Sequence, residues 1–60
     1  MKIPPNIYNT IERLKKDCKS NDNDIKKYSI LFTCGYINGL HDAGIITYIE
    51  KKRLFIYITI

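Results

Sequence analysis

Tryptophan is absent, histidine and methionine occur once each, and the 60 residues hold only two cysteines, two prolines and three glycines. Each scarcity excludes a class of protein. A secreted scaffold of this length usually carries four or more cysteines as a disulfide framework, whereas Cys18 and Cys34 make one bridge at most. Structural zinc needs paired Cys or His ligands at short spacing, and two cysteines with the single His41 do not supply them. No run of eighteen apolar residues exists, which excludes a transmembrane helix. The opening MKIPPNIYNT has no apolar h-region and meets prolines at once, unlike a signal peptide. The chain is therefore expected to be cytoplasmic, with reduced thiols, no metal, no cofactor and no membrane partner.

What is present is a single domain, residues 1–60, rich in Ile, Lys, Asn and Tyr. A domain this small buries only roughly 60% of its chain surface. Such chains offset the small core with disulfides, a metal or oligomerisation. With the first two excluded, a homodimer or a bound partner is expected. The net charge is +4, and the bases gather toward the two ends. Residues 1–20 hold five bases against two acids and residues 45–60 three against one. That distribution suits an acidic partner, either a protein surface or nucleic acid.

Apolar periodicity predicts an all-α fold of three helices. Met1–Pro5 is expected to be an extended lead-in, since Ile3 and Pro4 each precede a proline, and Pro5 suits a helix start. Ile7, Ile11, Leu14 and Cys18 then form one stripe, predicting a helix over 6–19. Glu12–Lys16 and Arg13–Asp17 are spaced as i,i+4 pairs on its far side. SNDND, residues 20–24, is a polar break, where Asn23 or Asp24 suits the next N-cap. The second helix is predicted over 25–43, with Gly44 as its left-handed stop. It is apolar on two sides, one formed by Ile25, Tyr28, Phe32, Tyr36 and Ala43 and the other by Ile30, Cys34, Ile37 and His41. A helix of that kind is central to a fold or shared between chains. Within it Gly35, Gly39 and Ala43 lie four apart. Each interior glycine costs about 1 kcal/mol relative to alanine, and small residues at this spacing let another backbone approach closely. Packing inside the monomer and a dimer seam are both open explanations. The residues expected at an interface are Phe32, Gly35, Tyr36, Gly39 and Ala43.

Two arrangements compete for residues 45–60. In one, Ile45 and Ile46 tuck against the core, Thr47 and Glu50 form a capping box, and a third helix runs over 47–58 with Ile49, Arg53, Ile56 and Ile60 on one face. In the other, an α+β alternative, a β-hairpin turns at Lys51–Lys52, which the β-prone LFIYITI favours. Lys-Lys is a poor two-residue turn, and the capping box decides for the helix.

The pattern G-Y-I-N-G-L, then D-A-G-I-I-T, then Glu50, Leu54 and Tyr57–Ile58 resembles small helical proteins of phages, plasmids and other mobile elements of low-GC Gram-positive bacteria. In those, a helix ends in an A-G-[LI]-I-T turn and a capped helix follows. The resemblance covers residues 28–58 and implies a binding role, such as inhibition of a host factor. Leu40, Gly44, Ile45 and Ile46 also resemble the close of a winged helix, with Lys51, Lys52 and Arg53 as the tip of the wing, although too little chain precedes them for the whole of that fold.

Catalytic constellations are thin. His41 and Asp42 are helix neighbours that point about 100° apart, Cys34 lies on an apolar stripe, and the glycines lack the Lys-Ser/Thr sequel of a phosphate loop. The expectation is a non-catalytic binding protein, an accessory that binds and inhibits or modulates a host macromolecule. The alternative is a nucleic-acid-binding regulator of weak sequence preference using Lys15, Lys16, Lys19, Lys26, Lys27, Lys51, Lys52 and Arg53. Phosphate contacts come from such clusters, but little on any helix face suits base readout. Five tyrosines, at 8, 28, 36, 48 and 57, suit an interface, where a ring is buried while its hydroxyl stays wet.

Overall fold

The first helix begins where proline chemistry sets it. In a computed structural model that describes residues 3–60, Pro4 is extended (ψ 144°) and Pro5 opens α1, Pro5–Asp17. The missing proline N–H falls where a helix has no acceptor for it. Two further helices follow, α2 (Asn23–Asp42) and α3 (Tyr48–Thr59), and no strand occurs among the described residues. The fold is all-α. The expected lead-in begins at Met1 and Lys2, which lie outside the described residues. Lys51, Lys52 and Arg53 lie inside α3, so neither the hairpin nor a wing forms.

The connections are short and capped. The N-cap of α2 is Asp22, one residue before the expected Asn23 and two before Asp24. Its carboxylate accepts from the N–H groups of Asp24 (2.9 Å) and Ile25 (3.2 Å). Asp22 succeeds because it alone stands outside the helix with its oxygen over those donors. At the other end the Gly44 N–H donates to His41 O (3.0 Å) and the Ile45 N–H to Leu40 O (2.9 Å). This crossed pair is a Schellman closure, and Gly44 adopts φ 75°, a conformation that L side chains disfavour. Thr47 Oγ1 then accepts from the Glu50 N–H (3.1 Å), and Glu50 Oε1 accepts from the Thr47 N–H (2.8 Å), which completes the capping box.

All three helices pack against one another around a single core of Ile11, Leu14, Cys18, Ile37, Leu40, Ile46, Leu54 and Ile58. The predicted α1 stripe supplies three of these, and Ile46 tucks in while Ile45 stays exposed. Thr33 is the one buried polar side chain among the described residues. Its hydroxyl donates to Ser29 O at 2.7 Å, leaving the Cys18 thiol, 3.7 Å away, to donate to it. Cys18 is thus buried and Cys34 exposed, both as free thiols.

Three readings from the sequence take a more specific form in the fold. Ile49, Ile56 and Ile60 do share a face with Arg53, but that face is open to solvent, and Leu54 and Ile58 are the α3 residues that enter the core. Helix α2 packs on both other helices but does not bury both of its apolar sides. Only Thr33, Ile37 and Leu40 are buried on it, and its aromatic side faces outward. The i,i+4 ion pairs of α1 do not form; the only acid–base contact within 4 Å among the described residues joins His41 Nδ1 and Asp42 Oδ1 at 3.9 Å.

Candidate protein-binding surfaces

Helix α2 turns its expected interface residues to one side. Taking Gly35 as the centre of a helical wheel at 100° per residue, Asp24, Tyr28, Leu31, Phe32, Asn38, Gly39 and Asp42 lie within about 60° of it. The buried Thr33, Ile37 and Leu40 lie on the opposite half. Tyr28, Leu31 and Phe32 are 69%, 61% and 54% exposed. Phe32 and Tyr36 stack with ring centroids 5.7 Å apart and an interplanar angle of 17°. A Cβ placed on Gly35 or Gly39 would meet nothing within 4 Å. Packing inside the monomer therefore does not account for these glycines, since nothing among the described residues approaches them. Ala43 is exposed and Tyr36 half-buried, so the five expected residues fall on one largely open surface. The reading from spacing had not included Leu31, although it stands four residues before Gly35.

A second surface spans α3 and its junction with α1. Ile49, Ile56 and Ile60 stand open at 63%, 56% and 77% exposure, with Lys52 and Arg53 among them. Arg53 also borders a depression of about 320 Å³ lined by Ile3, Tyr8, Ile11, Leu54 and Tyr57. Its apolar floor and hydroxyl-bearing rim suit one apolar side chain of a partner. The only acid of α3, Glu50, is tied into its cap, where the Thr47 N–H holds its carboxyl below the usual carboxylate range.

A carboxylate clasp orders this rim. The Tyr57 hydroxyl donates to Glu12 Oε1, joining α3 to α1, and Tyr8 interacts with the same carboxylate. The hydrogen bond to Tyr57, followed by that to Tyr8, holds the Glu12 carboxyl below its ordinary value. In return, the hydrogen bond to Glu12 pushes Tyr57 up to about 12 and raises Tyr8. Lys15 Nζ sits 3.8 Å from the centre of the Tyr57 ring, a cation–π contact. None of this had been read from the sequence. The signals were two i,i+4 pairs, Tyr8–Glu12 and Arg53–Tyr57, whose meeting only the tertiary fold shows.

The lysines considered for nucleic acid are divided between the ends of the molecule. Lys19 and Lys26 border one depression with Cys18, Thr59 and Ile60, and Lys27 is exposed one residue along. Lys51, Lys52 and Arg53 occupy the first half of α3, near the end where Tyr48 meets His41 of α2 edge-on. Lys52 lies 5.4 Å from the Tyr48 ring centre. Lys16 is exposed on α1. Asp17, Asp22 and Asp24 intervene around the first loop. Among the described residues no three His, Cys, Asp or Glu side chains gather to hold a metal ion, and no helix is long and apolar enough to cross a membrane. No protein-family profile, no curated protein and no solved structure matches the chain.

Proposed function

We propose that the chain is a non-catalytic binding protein that docks an acidic, partly apolar surface of another protein through the outer face of α3. One observation carries this reading: among the described residues, twelve large apolar side chains are exposed and eight apolar side chains form the core. Scattered exposed apolar residues are ordinary, whereas gathered ones point to a contact surface. On α3 they gather beside Lys52 and Arg53 with no free carboxylate, which selects for acid on the partner. The resemblance of residues 28–58 to mobile-element accessories makes the partner a host protein and the compartment the cytoplasm.

The test is capture from a host lysate by the immobilised chain, read against Ile56→Glu and against salt. A protein retained by the native chain, released by moderate salt and lost with Ile56→Glu is the expected result. Retention of nuclease-sensitive material instead, lost when Lys19 and Lys26 are changed to Ser, would replace this reading with the nucleic-acid one.

A further inference from the structure

We infer that the outer face of α2 is a two-fold seam that closes on the same face of a second copy of this chain, the two helices antiparallel and crossing at Gly35. This inference concerns a different helix from the proposed target surface and does not depend on it. Two observations, shape and charge, favour a second copy as the occupant, and a third, size, sets how tightly it is held. The first is shape. Gly35, Asn38, Gly39 and Asp42 stand at i, i+3, i+4 and i+7, the four corners of a hole on a helix surface. Its two glycine corners are open in the monomer, because an added Cβ would meet nothing. Leu31, 61% exposed, is a knob four residues before Gly35. In an antiparallel pair crossing at Gly35, residues four before the crossing lie level with residues four after it. Each Leu31 then enters the partner's hole beside the partner's Gly39, and Phe32, stacked on Tyr36, covers its flank. The contact is reciprocal, as a two-fold interface demands.

Charge is the second observation. Asp24 and Lys27 are exposed near one end of α2 and Asp42 near the other, and with the crossing at Gly35 the partner's Asp42 lies within one residue of the level of Lys27 and about 6 Å along the axis from Asp24. Antiparallel pairing brings each Lys27 close to the partner's Asp42, while parallel pairing sets like charge on like charge. Opposed helix dipoles act in the same direction. The third is size. Helix α2 has 20 residues, so its face is about 30 Å long. One such face offers less than the roughly 800 Å² per partner of a standard stable complex. The dimer is therefore reversible and dissociates on dilution.

Light scattering over a dilution series, followed by thiol trapping, tests the seam. At high concentration the native chain is expected at twice its mass of 7.1 kDa. Leu31→Glu, at a site already exposed, is expected to keep its helical circular dichroism while its dimerisation weakens at least tenfold. In a Cys34→Ser background, Gly35→Cys is expected to form a disulfide-linked dimer on mild oxidation and Leu31→Cys is not, because only Gly35 lies at the crossing. A chain that stays at single mass at every concentration overturns the inference, as does a dimer indifferent to Leu31→Glu. Equal cross-linking by both thiol variants replaces the antiparallel seam with a parallel one. None of these results bears on capture through α3.

Discussion

Glu12 shows how one side chain links a local spacing to a tertiary junction. Its carboxylate serves Tyr8 on its own helix and Tyr57 on α3, so the charged carboxylate and the neutral phenols stabilise each other. The signs follow from linkage. The folded value of Glu12 is lowered, so its contribution is present above the ordinary carboxylate range and is lost as pH falls through the folded value. Tyr57 is raised to about 12, so its contribution is complete below the ordinary phenol value of about 10 and is lost as pH rises toward 12. Ultraviolet titration of the native chain should show a tyrosine ionising near pH 12, and Glu12→Gln should return it toward the ordinary value. A late-titrating phenol that survives Tyr57→Phe would show that the assignment is wrong. The glycines make the opposite kind of residue-scale case. Gly44→Ala forces a side chain into the left-handed region and should cost about 1–2 kcal/mol. Gly39→Ala adds a methyl to open space and should stabilise the dilute monomer by up to about 1 kcal/mol. Urea unfolding at low concentration distinguishes the two signs.

At the scale of elements, the ends of the helices depend on a few neighbouring atoms. Thr47→Ala removes the acceptor of the Glu50 N–H and should cost about 1 kcal/mol, a fall in Tm of roughly 4–8 °C for a domain of this size. Glu50→Gln keeps a side chain able to close the box and should cost less in the same melt. This locality explains what the sequence disclosed. Pro5, Gly44 and the Thr47–Glu50 pair act within one turn, and they marked the start of α1, the end of α2 and the start of α3 to within about a residue. The inward face of α3 was not legible, because two apolar stripes compete on that helix. Ile49, Ile56 and Ile60 make one, Leu54 and Ile58 the other, and α1 and α2 decide between them. The same limit held for the candidate surfaces. Spacing revealed the glycine face of α2, since i,i+4 repeats are visible along a chain. It did not show that this face is left open. The bond between Glu12 and Tyr57 spans 45 positions, a separation that no periodicity reports.

For the whole molecule, the arithmetic of burial joins stability to association. Among the described residues eight apolar side chains make the core, and a single core in a chain this small supplies rarely more than about 3–5 kcal/mol. Ile37 is fully buried, and truncating such a residue to alanine costs about 2–5 kcal/mol. The dilute Ile37→Ala variant should therefore be largely unfolded. The exposed face of α2 lies on the other half of that helix and survives the substitution. A seam closing through Leu31 and the glycines binds only folded chains, so mass action adds stability as concentration rises, by up to about 1.4 kcal/mol per tenfold. Far-ultraviolet circular dichroism of Ile37→Ala over a hundredfold concentration range should then show helix returning as the chain is concentrated. Adding Leu31→Glu should abolish that return while leaving the dilute signal where it was. If Ile37→Ala stays equally unfolded at every concentration while the native chain dimerises, the seam does not couple to the core, and α2 must associate as a helix whether or not α1 and α3 are packed behind it.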